Sequence, residues 1–111
     1  MRWLLLLCIA CAPPELPPPS RVETPVGTVR VVPAPGPLVI EGDTVLGAWL
    51  WDQQRIVIDT ATSPRTVWHT YYHELCHVAL DAAGVSNMVT GEKQEAVCDA
   101  IATARLRERF R

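Results

Sequence analysis

Residues 69 to 80 read His-Thr-Tyr-Tyr-His-Glu-Leu-Cys-His-Val-Ala-Leu, which puts three histidines and a glutamate within nine residues. On a helix each residue advances about 100°. His73 and His77, at i and i+4, therefore project from one face, one turn apart. Two imidazoles so placed can bind one metal ion. Glu74 is rotated off their line, which suits a carboxylate that contacts metal-bound water and not the metal itself. The plain alternative is a helix carrying two partly exposed histidines.

A third donor has to come from elsewhere, and residues 92 to 106, Glu-Lys-Gln-Glu-Ala-Val-Cys-Asp-Ala-Ile-Ala-Thr-Ala-Arg-Leu, supply one. Glu95 and Asp99 stand at i and i+4 on a stripe continued by Ala102 and Leu106. An acidic pair on such a stripe is costly to bury unless something positive faces it. Glu95 would complete a two-histidine, one-glutamate zinc site with a fourth position open. Asp99 would accept the free N–H of a ligand histidine and set its tautomer. Cys98, on the same turn, is the rival third ligand as a thiolate. Without a metal, acidic residues early in a helix favour its dipole, which accounts for Glu92 better than for Asp99. His69 lies one turn before His73, but histidines at i, i+4 and i+8 span about 12 Å. It is assigned to packing or to the rim, and Tyr71 and Tyr72 are assigned structural roles.

Two helices must carry these residues. Ser63-Pro64 supplies an N-cap followed by proline at the first helical position, and Gly84 a C-terminal stop. The spacing predicts one helix over about 64–83 and another over about 92–109. Trp68, Tyr72, Leu75, Ala79 and Ala82 form the apolar stripe expected on a sheet, with His69, His73, His77 and Leu80 beside it. Upstream, strands are predicted near 38–41, 45–51 and 55–60, the last two as a hairpin with Trp49 and Trp51 on one face. The class is α+β: a small antiparallel sheet packed on two helices.

The motif His-Glu-x-x-His, followed eighteen residues after His77 by Glu95 and then Asp99, resembles the gluzincin metallopeptidases. The hairpin segment and the two helical segments together, over about residues 38 to 107, resemble the compact ImmA/IrrE type of zinc peptidase. The resemblance implies Zn2+ held by His73, His77 and Glu95, Glu74 as general base, and a peptide or protein substrate. Leu46–Trp51 would hold that substrate by β-addition, with Trp49 and Trp51 shaping the cleft. The rival from another class is a zinc-binding protein without turnover, in a structural or binding role. The ImmA/IrrE type acts in the cytoplasm, and this chain shows no DNA-binding or sensor domain.

Composition sets the outer bounds. Of 111 residues 49% are apolar and 20% charged, with a net charge of −2 and no basic run, which argues against a nucleic-acid partner. Nine of the ten prolines lie before residue 38, so 12–37 reads as a Pro-rich tether, with a short edge strand at Thr28–Val32, ahead of a domain over 38–111. Residues 1–11 read as a signal-peptide-like leader. Leu7-Cys8-Ile9-Ala10-Cys11 resembles a lipobox, so lipidated Cys11 would anchor an exported protein to a membrane. The alternative is a cytoplasmic protein with a different start. If the two helices are antiparallel, Cys76 and Cys98 fall on the same flank, within disulfide range. The simpler expectation is two buried thiols filling packing gaps.

Overall fold

The computed structural model describes residues 16–111. The leader, including Cys8 and Cys11, lies outside the described residues. The architecture is α+β. Six strands, β1 (Arg21–Thr24), β2 (Gly27–Ala34), β3 (Leu38–Ile40), β4 (Asp43–Val45), β5 (Gly47–Leu50) and β6 (Arg55–Asp59), precede helices α1 (Pro64–Ala82) and α2 (Gly91–Arg109). The main sheet has the order β1-β2-β6-β5, with β2 parallel to β6 and the other pairs antiparallel. β3 and β4 form a separate hairpin, turned by Glu41 and Gly42 at φ 51° and 87°, the positive values a two-residue primed turn needs.

Three sequence expectations give way here, the first being a wholly antiparallel sheet, because β2 joins β6 in parallel. The stretch 12–37 is not a tether throughout, because 21–34 builds β1 and the central strand β2, where Val29 is fully buried. The prolines are accommodated by position. Pro25 lies in the β1–β2 connection. The Arg30 N–H bonds towards β6 and the Val31 N–H towards Ser20, so strand alternation turns the Pro33 nitrogen away from β6, past the last pair with β1. The expected strand 45–51 is also split. Val45 pairs in β4, Gly47–Leu50 pair with β6, and Trp51 sits in the turn, 73% exposed.

The helices end where the sequence places them, within a residue. Ser63 accepts from the Thr66 N–H, and at the far end Gly84 and Val85 donate to the carbonyls of Asp81 and Leu80, a Schellman closure with Gly84 at φ 72°. The sheet-facing side of α1 is a further correction. Val67, Tyr71 and Val78 are buried with Val29, Ile56 and Ile58, while Ala79 and Ala82 of the expected stripe are exposed. α1 is covered on two sides, by the sheet and by α2. The sheet side includes the polar Thr70 and Glu74, and so carries no clean apolar period. Trp68 and Tyr72 pack next to it, under the guanidinium groups of Arg109 and Arg105 from α2. No described helix is long and apolar enough to cross a membrane.

Candidate metal centre

α1 and α2 pack antiparallel, so residues ascending one helix meet residues descending the other. His69 meets Thr103, His73 meets Asp99 and Glu95, and His77 meets Glu95. Gln94 ties the α1–α2 connection by donating to the Ser86 and Val89 carbonyls. Cys76 and Cys98 are joined as a disulfide with Cα atoms 5.4 Å apart. The expectation of two free buried thiols is therefore replaced. Cys98 is also removed as a rival ligand, because its sulfur is bonded to Cys76 and stands outside the donor group.

His73, His77 and Glu95 converge. Glu95 Oε2 stands 3.0 Å from His73 Nε2, Glu95 Oε1 stands 2.8 Å from His77 Nε2, and the two imidazole nitrogens are 3.2 Å apart. One ligand atom from each lies within 4.8 Å of the others, a group that could hold a metal ion. The donor chemistry fits a cation. His73 Nδ1 lies 2.8 Å from Asp99 Oδ1, and a carboxylate only accepts, so the proton of neutral His73 belongs on Nδ1. That leaves lone pairs on His73 Nε2 and both Glu95 oxygens facing one another and His77 Nε2. Such a set needs extra protons or a metal ion at its centre.

Glu74 stands beside this group and not within it. Its nearest carboxylate oxygen is 4.0 Å from His73 Nε2, and the residue is 8% exposed. Burial raises its carboxyl above the usual glutamate range, opposed in part by His73, His77 and a hydrogen bond from the Trp49 backbone N–H. β5 approaches closely enough for that bond because residue 47 is glycine. A Cβ there would collide with the Thr70 methyl and lie 3.1 Å from the Val57 carbonyl. A glycine inside a strand marks such close approaches, and this was the overlooked sequence signal for Gly47.

The expected burial of the acidic pair does not occur. Glu95 and Asp99 side chains are 60% and 62% exposed, against 12% and 17% for His73 and His77. α2 covers the histidines from one side only, and the cluster opens into a cavity of about 400 Å³. His69, Thr70, Val45, Leu46 and Gly47 line that cavity. His69 is outside the donor group, its ring 6.4 Å from that of His73. Tyr71 and Tyr72 are buried core residues. Trp49 and Trp51 do not line the cavity. They line a second one further along β5, because Trp49 leans over α1 to donate its indole N–H to Asp81.

No protein-family model, curated protein or solved structure matches the chain.

Proposed function

We propose that this protein is a small zinc-dependent peptidase of gluzincin type, similar to the ImmA/IrrE enzymes, with His73, His77 and Glu95 as ligands and Glu74 as general base. The observation that carries the reading is the position of Glu74: a buried carboxylate next to a two-imidazole, one-carboxylate group, yet outside it. A site that merely stored a metal would have little use for a second, desolvated acid there.

The chemistry that zinc supplies in such a site is Lewis-acid polarisation of a carbonyl and a lowered pKa for a nearby water. The chain's own residues do the rest. Glu74, made more basic by burial, takes a proton from the attacking water and returns it to the leaving amine. Asp99 holds His73 in the tautomer that presents Nε2. The open edge of β5 orients the substrate. The Asp59 N–H bonds to the Leu46 carbonyl, so by alternation the peptide groups of Gly47 and Trp49 point away from β6. Glu74 takes the Trp49 N–H, which leaves the Gly47 groups and the Trp49 carbonyl for an extended peptide.

Metal analysis of the purified chain together with hydrolysis of a mixed peptide pool tests this. The expected result is about one zinc per chain, with hydrolysis abolished in Glu74→Gln at unchanged zinc content. Zinc without hydrolysis would reduce the protein to a metal-holding one, and a chain that refuses zinc would end the reading.

A further inference from the structure

The second cavity beside β5 has a distinct chemistry. It encloses about 540 Å³ between the β5–β6 turn and the end of α1, and Trp49, Trp51, Gln54, Asp81 and Asn87 are among its walls. None of its lining residues is basic. Trp51, 73% exposed at the hairpin tip, lines the cavity and takes no part in the core. Asp81 uses one oxygen, Oδ2, to accept from the Trp49 indole, so Oδ1 remains to meet a ligand. Gln54 is fixed in the wall by an amide N–H donated to the Val26 carbonyl. Two tryptophans and a carboxylate in a lining without a basic residue form an environment for a positive charge, drawn by the ring quadrupoles and by Asp81.

We propose that this cavity binds an organic cation, the ammonium or guanidinium group of a peptide lying along β5, and so selects basic substrates. The proposal rests on the peptidase reading for the path of the peptide, while the cation site rests on its own residues. Both cavities flank the same short strand. From Gly47 at the metal cluster to Leu50, the end of β5, is three residues, about 10 Å of extended chain, and Trp51 follows at the start of the turn. From Glu74 to Asp81 is seven helical residues, about 10 Å. An extended peptide on the β5 edge that presents its reacting bond at Gly47 therefore carries a side chain to Trp51 and Asp81 about four residues away. Period-two alternation puts that side chain on the α1 side of the sheet, the side of Gly47 and Trp49.

The test uses the full chain carrying Glu74→Gln, so that bound peptides stay intact. Short alanine-serine peptides with one lysine, moved through successive positions, are titrated against norleucine counterparts, with free or acetylated amino termini. Affinity is read from tryptophan fluorescence. Lysine at a favoured position is expected to bind about 10-fold tighter than norleucine. Asp81→Asn, which keeps an acceptor for Trp49, and Trp51→Ala, at an exposed site, should each shrink that preference to within about two-fold. A preference for free over acetylated termini, lost in the same two variants, would support the site with the terminal amine as its cation. Equal affinities throughout, or a lysine preference that survives both variants, would overturn it. Wild-type hydrolysis of the peptide pool is scored separately. Cation selection without hydrolysis leaves the binding site standing and removes the peptidase reading, whereas hydrolysis without cation selection does the reverse.

Discussion

Asp99 Oδ1 lies 2.8 Å from His73 Nδ1, and this contact determines which nitrogen of His73 the cluster receives. Placing the proton on Nδ1 leaves Nε2 as a lone-pair donor beside Glu95 and His77. In Asp99→Asn the contact can persist with the amide as donor to Nδ1, which moves the proton to Nε2 and blocks it. Zinc affinity in Asp99→Asn is expected to fall about 10–100-fold, measured by competition with a chromophoric chelator. Unchanged affinity would show that the contact does not orient the ligand.

Glu95→Ala removes a donor and not its support, so its loss of zinc affinity should exceed that of Asp99→Asn. Glu74→Gln should retain zinc. The same competition assay applied to the three variants gives the order. Normal zinc affinity in Glu95→Ala would remove Glu95 from the ligand set.

In the metal-free protein Glu74 also links stability to pH. Its folded pKa is raised above the reference value of 4.5, mainly by burial. The folded state thus holds the proton more tightly than the unfolded state, and stability falls as pH rises from about 4.5 through the raised value. Glu74→Gln removes that dependence. Thermal melts of chelator-treated proteins should show the variant gaining on wild type across that window, with little difference below it. A constant difference across the window would contradict a desolvated Glu74.

The Cys76–Cys98 bond closes a loop between residues 22 apart and clamps the helices that carry the ligands. Reduction, or the double change to serine, is expected to cost about 3 kcal/mol of stability and to weaken zinc binding, since the covalent tie between the helix of Glu95 and that of the histidines is lost. Denaturant melts with and without reductant measure the first effect. Two free thiols from these positions in unreduced, denatured protein would show that the bridge does not form.

Gly47→Ala tests the fit of β5 against α1. The added methyl meets Thr70, whose rotation is restrained by its hydroxyl bond to the Thr66 carbonyl, and it meets the Val57 carbonyl as well. A loss of about 1–3 kcal/mol is expected from such overpacking. Hydrolysis should fall further than stability explains, because Glu74 loses its partner on β5. Melts compared with activity at a temperature where the variant is folded separate the two effects.

The sequence by itself determined what short-range geometry can dictate. The periodicity of one helix brings His73 and His77 to a single face, and the capping residues Ser63 and Gly84 end that helix within a residue. Glu95 and Asp99 were legible as a pair for the same reason, since i and i+4 share a face on any helix. Only the tertiary structure decided how the faces meet. The antiparallel docking of α2 on α1 turned two separate motifs into contacts of about hydrogen-bond length and joined Cys98 to Cys76 instead of to the donors. It also settled which side of α1 lies on the sheet. Burial of Thr70 and Glu74 broke the apolar pattern there, and a pattern of hydrophobic residues cannot register a polar residue buried for its chemistry. Thr28–Val32 was legible as a strand, but β1 and the central place of β2 were hidden for a related reason. Whether a strand tolerates proline depends on which neighbour each N–H faces, and that is a property of the assembled sheet.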